Sequence, residues 1–396
     1  MNRPLKLLVT TLATVGGSLF AADQRPNVVW FFAEDTSPWM GTYGHEANKL
    51  ATPNIDSIAK AGVRFDRAYV PAPVCSACRS SMMVGANQIR FGSHEHRSSR
   101  AKDAQLYLPK GVKLLPQILK EAGYSTFNHG KTDYNFVWEG EKTYSKIKLK
   151  GQADSWEILK QNQPFFIQFQ TKGGKINTGK LAADRRTDPS KVTVPADYPQ
   201  NDLYRKVVAQ HCDAIRVDDD HIGKVLAGLK ASGLQENTIV VYLSDHGANH
   251  LVRHKQMPTE GGLHVPFVLM GPEKWVPKQG ARKDLVSTLD LTATTLSWAG
   301  IKLPEGFVIG AARTASADRA PRTSSSAALR ALLPSLGGVR LAVTLLAAAR
   351  GWSFTRDADS VNAAVTGTKH SQATMIGSNW IAIPYLGQHC RISKVT

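Results

Sequence analysis

Cysteine is scarce in this sequence, with four residues in a chain of 396, at positions 75, 78, 212 and 390. Four irregularly spaced thiols are too few for a disulfide framework, and they do not show the spacing of a four-thiolate zinc site. Any thiol chemistry must therefore come from one residue or from the closely spaced Cys75 and Cys78.

Acidic residues are also in deficit, with 32 Asp and Glu against 49 Lys and Arg and a formal net charge of +17. The basic residues form no compact cluster, and no nucleic-acid-binding fold signature is present, so DNA and RNA are not expected partners. The positive charge is compatible with an anionic substrate but does not require one. The apolar run at residues 7–20 is too short to predict a stable membrane span.

Residues 1–22 are typical of a secretory signal peptide. Arg3 and Lys6 precede the apolar run, and Ala21 and Ala22 supply small residues at its end, although Phe20 stands where a small residue is preferred. We therefore expect a periplasmic or secreted protein. An uncleaved membrane anchor is the alternative.

Apolar runs alternate with amphipathic stretches between residues 25 and 304. Continuous apolar runs indicate strands that are buried on both faces, as in a parallel sheet, whereas a 3.6-residue apolar period indicates helices. The predicted strands lie within residues 25–35, 62–70, 124–127, 164–170, 238–243 and 267–270. The predicted helices begin near residues 53 and 75 and cover 114–122, 202–232 and 284–299.

Two of the predicted strands are followed by residues of types that commonly bind metal ions. Glu34 and Asp35 follow the first strand, and Asp245 and His246 follow the strand at 238–243. Adjacent carboxylates repel each other unless a cation holds them, and α/β sheets bind ligands at the carboxyl ends of their strands. These residues predict one divalent cation. A solvated acidic loop is the alternative at residues 34 and 35, and the imidazole suits zinc or manganese better than calcium.

Residues 75–81 predict a helix whose N-terminal amides face an anion. Cys75 at its start is a candidate nucleophile, and Lys131, directly after Gly130 at the end of a strand, could neutralise a bound oxyanion. A buried cysteine, a redox pair with Cys78 and a simple disulfide are the alternatives for Cys75.

Taken together, these segments resemble the type I sulfatases of the alkaline-phosphatase-like superfamily. Cys-x-Ala-x-Arg at 75–79 is similar to the family's Cys-x-(Pro/Ala)-x-Arg motif, and it follows Thr-Pro-Asn-Ile-Asp, Gly-Val-Arg-Phe, Ala-Tyr-Val and Pro-Val-Cys in the family's order. The resemblance covers roughly residues 25–304 and implies an α/β fold with a large, mostly parallel sheet flanked by helices. The sequence departs from the usual pattern at Glu34, where Asp is common, and at Asp133 and Lys175, where a His is expected at or near the position.

The resemblance also implies a reaction and a set of site residues. A formylglycine-generating or other sulfatase-maturating enzyme would oxidise Cys75 to formylglycine, whose hydrate is the nucleophile. The implied reaction hydrolyses a sulfate ester on a small molecule or glycan, such as a polysaccharide or glycosaminoglycan, with a phosphonate or phosphodiester hydrolase and a non-catalytic sulfated-glycan-binding protein as alternatives. The implied catalytic residues are Cys75, Arg79, Lys131 and Lys255, the substrate contacts Lys175 and His254, and the Ca²⁺ ligands Glu34, Asp35, modified Cys75, Asp245 and His246.

The resemblance stops near Pro304. From residue 306 onward Arg outnumbers Lys eight to two, whereas lysines are plentiful earlier in the chain. The smaller C-terminal subdomain of sulfatases is not recognisable here, so we expect it to be atypical or lost. Our hypothesis for residues 305–396 is a translational frameshift or gene-model error, with an unrelated replacement domain as the alternative.

Overall fold

The computed structural model of the chain describes residues 25–302, apart from 102, 146–151 and 197, together with the backbone of four short strands between 353 and 384. The predicted signal peptide, residues 1–22, and most of the region 305–396 lie outside the described residues. None of the described helices is both long enough and apolar enough to span a bilayer.

A seven-stranded sheet forms the centre of the described region. Its order is β3-β4-β1-β5-β6-β2-β7, and β6 alone among these strands runs antiparallel to its neighbours. This arrangement confirms the predicted mostly parallel sheet. The strands are β1 (Asn27–Ala33), β2 (Val63–Tyr69), β3 (Ser125–His129), β4 (Phe165–Thr171), β5 (Thr238–Ser244), β6 (Phe267–Met270) and β7 (Gly280–Ser287).

Eight α-helices accompany the sheet within the described residues. Pro53 starts the first helix, where its missing N–H costs nothing, and the side chain of Asn201 caps the long helix by accepting a hydrogen bond from the Tyr204 N–H. The helices are α1 (Pro53–Ala61), α2 (Cys75–Val84), α3 (Leu115–Glu121), α4 (Gly140–Thr143), α5 (Gln152–Gln161), α6 (Asp202–Ala231), α7 (Glu260–Leu263) and α8 (Asp290–Trp298).

The sheet separates two apolar cores, which explains the continuous apolar run of β1. Residues 28, 30 and 32 of β1 face a core shared with α2, α3 and α8. Residues 29, 31 and 33 face a second core shared with α1, α5 and α6. Because successive side chains of a strand point to opposite faces, a strand between two helical layers must be apolar at every position.

One predicted element is wrong. The stretch 284–299 was expected to be a single helix, but its first part completes β7, which pairs in parallel with β2, and α8 begins only at Asp290. The open edge of β2 offers backbone hydrogen bonds to this segment. Pairing with a neighbouring strand is a tertiary effect that overrides local helix propensity.

The C-terminal unit, residues 318–396, contains two antiparallel strand pairs. β8 (Ser353–Arg356) pairs with β9 (Ala363–Thr366), and β10 (Ser371–Ile376) pairs with β11 (Asn379–Pro384). The frameshift and the replacement domain at residues 305–396 stay hypotheses.

Candidate active site

Four buried side chains converge at the carboxyl edge of the sheet. Asp35 follows β1, Cys75 is the first residue of α2, and Asp245 and His246 follow β5. One ligand atom from each residue lies within 4.8 Å of the ligand atoms of the other three. The Cys75 Sγ is 3.0 Å from His246 Nε2, which is itself 3.2 Å from Asp35 Oδ1. Two carboxylates and an imidazole at this spacing fit a single divalent cation.

The backbone brings the ends of β1 and β5 together. Asp35 adopts a left-handed conformation with φ of 52°, and its N–H donates to Asp245 Oδ1 at 3.0 Å. The Thr36 N–H donates to Ser244 Oγ at 2.9 Å, and the Asp245 N–H donates to the Ala33 carbonyl at 3.1 Å. A non-glycine residue with this φ is uncommon and is held in place only by surrounding structure. These bonds therefore fix the two aspartates relative to each other.

Arg79 lies one helical turn after Cys75 on α2, so the two side chains share a face. Its Nε donates to Asp245 Oδ2 at 3.1 Å, its Nη1 donates to Gln170, and its guanidinium covers the ring of Phe32. Burial opposes the charge of Arg79, but the carboxylates of Asp245 and Glu34 outweigh burial and raise its pKa. Arg79 therefore stays charged and orients Asp245.

The cluster stabilises positive charge at His246. Burial opposes protonation of this imidazole, but Asp245, Cys75 and Asp35 outweigh it and raise the pKa of His246 to about 9. Burial likewise disfavours ionised Asp245, yet His246 and Arg79 hold the pKa of this carboxyl below its usual range. The His246 imidazole lies 3.2 Å from Asp35 and 3.6 Å from Asp245, and such a set of donors is also suited to a metal cation.

Three lysines reach the same edge from three different loops. Lys131 follows β3, Lys175 follows β4, and Lys255 lies between β5 and α7. The Lys255 Nζ is 2.9 Å from Asp35 Oδ2, and the Lys175 Nζ is 3.4 Å from Asp35 Oδ1. Their side chains are between 18% and 30% exposed, so the ammonium groups line the mouth of the site. Such groups can bind a tetrahedral oxyanion.

Glu34, a predicted metal ligand, does not join the four converging residues. Its Oε2 is 2.6 Å from Lys175 Nζ, and its Oε1 is 3.2 Å from Lys131 Nζ. Burial disfavours the charged form of Glu34, but Lys175, Arg79 and Lys131 outweigh burial and lower its pKa. In this structure the Glu34 carboxylate therefore forms ion pairs with Lys131 and Lys175.

His254, a predicted substrate contact, also lies outside the cluster. It is buried, its Nδ1 is 3.4 Å from Ser37 Oγ, and its ring packs against Trp39 and Tyr198. These residues line a cavity of about 210 Å³ whose wall includes no member of the four-residue cluster. A contact between His254 and substrate stays a prediction.

Two further residues near the site were not predicted from the sequence to contact its charged groups. Gln170 accepts a hydrogen bond from Arg79, and Asp133 lies 3.1 Å from the Lys131 Nζ and 2.8 Å from the Arg97 Nε. The signal for Gln170 was its polarity at the end of an apolar strand. Asp133 stood out only as a departure from the usual pattern, and nothing in the sequence connected it to Arg97.

Cys75 and Cys78 are both buried and free, so the structure contains no disulfide between them. Cys78 lies one turn further along α2, and burial raises its pKa well above the usual value for a thiol. A buried thiol of this kind is a poor redox partner, because the thiolate is the reactive species.

Comparison with known sequences identifies relatives. Residues 26–301 match the sequence model of the Sulfatase family. The Ulvan-active sulfatase of Formosa agariphila is 26% identical over 337 residues, which cover 73% of this chain and 54% of the relative. The N-acetylgalactosamine-6-sulfatase of Rattus norvegicus is 27% identical over 368 residues, which cover 78% of this chain and 68% of the relative. The chain thus spans about half the length of the first of these relatives.

Comparison with solved structures supports the same fold. PsFucS1 sulfatase from Pseudoalteromonas sp. superposes with a TM-score of 0.54 at 17% identity, over 74% of this chain and 72% of that protein. Phosphonate monoester hydrolase of Agrobacterium radiobacter also superposes with a TM-score of 0.54 at 17% identity, over 72% of this chain and 76% of that protein. At these identities the likeness shows the alkaline-phosphatase-like fold alone. The family match spans most of the chain, and the protein therefore belongs to the sulfatase family.

Proposed function

We propose that this protein hydrolyses a sulfate ester of a glycan and releases inorganic sulfate. The observation that carries the proposal is the position of Cys75, at the start of α2 and 3.0 Å from His246, beneath the mouth lined by Lys131, Lys175 and Lys255. Relatives named for activity on ulvan and on N-acetylgalactosamine 6-sulfate favour a sulfated polysaccharide or glycosaminoglycan as the substrate.

Cys75 would supply the nucleophile after oxidation to formylglycine by a maturation enzyme. One hydroxyl oxygen of the aldehyde hydrate attacks sulfur, the bond from sulfur to the ester oxygen breaks, and the alcohol leaves with a proton. The second hydroxyl then loses its proton, the carbon–oxygen bond to sulfate breaks, and the aldehyde is regenerated. The signal-peptide pattern of residues 1–22 supports export to the periplasm or the exterior, and maturation of Cys75 is compatible with it.

Asp35, Asp245 and His246, together with modified Cys75, would hold one divalent cation. A bound cation would favour the ionised hydroxyl and offset negative charge at neutral pH. Calcium is the ion that we propose from the resemblance to the family, whereas the imidazole donor suits manganese or zinc. Metal analysis of the purified protein decides between them.

The charged residues around this group have complementary roles in the proposal. Arg79 orients Asp245 beside the nucleophile through its 3.1 Å hydrogen bond. Lys131 and Lys255 stabilise charge that develops on the sulfuryl oxygens, and Lys175 contacts the bound ester. Ammonium groups held in a partly buried site interact with such charge more strongly than they would in open water.

The test begins with the protein produced together with a formylglycine-generating enzyme. Mass spectrometry of the peptide containing Cys75 should show a loss of about 18 Da relative to cysteine, the difference between thiol and aldehyde. The modified protein should release sulfate from an aryl sulfate and from sulfated glycan oligosaccharides, and Cys75→Ala should abolish this release.

A phosphonate hydrolase is the second candidate, because one such enzyme shares the fold as closely as the sulfatase does. Turnover of an aryl phosphonate ester faster than the matching aryl sulfate would favour it. An unmodified Cys75, with sulfated-glycan binding but no sulfate release, would instead indicate a non-catalytic binding protein.

A further inference from the structure

A chain of alternating charges runs along the mouth of the site. Lys175 contacts Glu34 at 2.6 Å, Glu34 contacts Lys131 at 3.2 Å, and Lys131 contacts Asp133 at 3.1 Å. Asp133 in turn contacts Arg97 at 2.8 Å. The chain joins the ends of β1, β3 and β4 to the turn that contains Arg97. It includes all three positions at which the sequence departs from the usual sulfatase pattern, namely 34, 133 and 175.

Glu34 occupies the centre of this chain. Each of its carboxylate oxygens contacts a different lysine, and its side chain is only 12% exposed. The neighbouring Asp35 contacts His246 and Lys255, and its Oδ1 also lies 3.4 Å from the Lys175 Nζ. Asp35 therefore belongs to the four-residue cluster and also pairs with lysines, whereas both carboxylate oxygens of Glu34 contact lysines and Glu34 does not join the cluster.

The physical reason lies in how lysine is ordered. A free lysine side chain has roughly 2 kcal/mol of rotamer entropy to lose on being fixed, and two ammonium groups at one site repel each other. A carboxylate between them offsets the repulsion and fixes both before an anion arrives. Glutamate is one methylene longer than aspartate, which allows it to reach Lys131 and Lys175 at once.

We propose that Glu34 is a positioning residue that holds Lys131 and Lys175 for the sulfate group, and that it is not a ligand of the divalent cation. This inference rests on the proposed function, because it takes the bound anion to be sulfate. Asp133 supports the same lysine from its other side and is itself held by Arg97.

Two substitutions separate the two roles of Glu34. Isothermal titration calorimetry measures Ca²⁺ binding to the matured protein and then inorganic sulfate binding to the Ca²⁺-loaded protein, for Glu34→Gln and Glu34→Asp. We expect both variants to keep the Ca²⁺ dissociation constant within about threefold and to weaken sulfate binding at least about fivefold. Glu34→Asp should not restore sulfate affinity, because aspartate is too short to contact both lysines.

A double-mutant cycle tests whether Glu34 acts through Lys175. In a Lys175→Met background, Glu34→Gln should weaken sulfate binding by a smaller factor than it does in the parent protein, because only the contact of Glu34 with Lys131 remains to be lost. Glu139→Gln is the matched control, since the Glu139 side chain forms an ion pair of 2.7 Å with the exposed Lys142. This control should leave both affinities unchanged, and thermal melting checks that each variant is folded.

Two results would overturn the inference. One is a loss of Ca²⁺ affinity of about tenfold or more in Glu34→Gln that Glu34→Asp restores, which would make Glu34 a metal ligand. The other is unchanged or tighter sulfate binding in both variants. Neither measurement needs turnover, so a protein that binds Ca²⁺ and sulfate but releases none from esters would refute the proposed function while leaving this test valid.

Discussion

At the scale of single residues, Asp218 on α6 is a fully buried carboxyl group behind the site. Its Oδ2 accepts hydrogen bonds from Thr171 at 3.0 Å and Tyr242 at 3.2 Å. Burial raises the pKa of Asp218 to about 7, and the charge of Asp219 adds to this effect. Asp218 thus anchors the end of β4, from which the loop to Lys175 departs.

This raised pKa predicts a pH dependence of stability. Between pH 4 and pH 7 the unfolded chain ionises Asp218 while the folded protein keeps the proton, so the free energy of unfolding falls as pH rises through this window. Asp218→Asn should reduce this fall, to which Asp219, whose pKa burial raises to about 6, also contributes. It should raise stability at pH 8 by at most about 4 kcal/mol, at about 1.4 kcal/mol per tenfold change in proton affinity. Urea unfolding at several pH values measures it.

The control for this experiment is the neighbouring Asp220, which is 41% exposed and pairs with Arg185 on the surface. Asp220→Asn should leave the pH dependence as it is. An Asp218→Asn protein whose stability still falls in parallel with that of the parent between pH 4 and pH 7 would contradict the assignment.

At the scale of elements, the site depends on the close approach of the loop after β5 to α7. Gly247 directly follows the cluster residue His246, and its N–H donates to the Gly262 carbonyl at 3.0 Å. A Cβ added at Gly247 would overlap the backbone carbonyl oxygen of Gly261. Only glycine allows these two backbones to pack, and their packing sets the position of His246.

Gly247→Ala should therefore disturb both stability and the cluster. We expect the loop to be displaced from α7, with a loss of about 1–3 kcal/mol in stability. Cation affinity should fall as well, because His246 moves with its neighbour. Thermal unfolding and calorimetric titration with Ca²⁺ measure the two effects.

Gly140 provides a matched control, because a Cβ there would make only an ordinary contact of 3.8 Å with the Trp138 ring. Gly140→Ala lies in the short helix α4 and should keep the melting temperature and the cation affinity of the parent. If Gly247→Ala and Gly140→Ala have the same melting temperature and the same cation affinity, the close approach of the two backbones at Gly247 does not control the position of His246.

At the scale of the whole molecule, the ends of two strands and the start of a helix meet at one group of charges. Asp35 and Asp245 are both fully buried, and their mutual repulsion must be compensated. A divalent cation bound by this group would connect β1, α2 and β5, which are distant in sequence. It would also act only on the folded state, because the unfolded chain does not bring these residues together.

Removal of the cation should therefore lower the melting temperature. A ligand at one hundred times its dissociation constant stabilises the folded state by about 2.7 kcal/mol, which corresponds to roughly 5 °C for a domain of this size. Differential scanning calorimetry with and without EDTA measures the change, and adding back Ca²⁺, Mn²⁺ or Zn²⁺ identifies the preferred ion. Asp35→Asn should respond little to EDTA, and an unchanged parent protein would argue against a cation at this site.

The sequence alone indicated the family, most of the strands and helices, and most of the residues that converge at the edge of the sheet. Continuous apolar runs located β1, β4 and β5, because a strand covered on both faces must be apolar throughout. The residues that end these strands were found as well, since the carboxyl ends of parallel strands meet at one edge. Asp35, Asp245 and His246 therefore converge with Cys75, as their order in the chain predicted.

Only the tertiary structure decided where β7 lies and which side chains Glu34 and Asp35 each contact. Residues 284–287 joined a strand because the edge of β2 was open, which no local pattern reveals. Glu34 and Asp35 are adjacent and chemically alike, and both contact Lys175, yet Asp35 also contacts His246 whereas Glu34 contacts Lys131. Their roles depend on side chains that are about 100 to 210 residues away in sequence, so they emerge only when the loops are packed at the edge of the sheet.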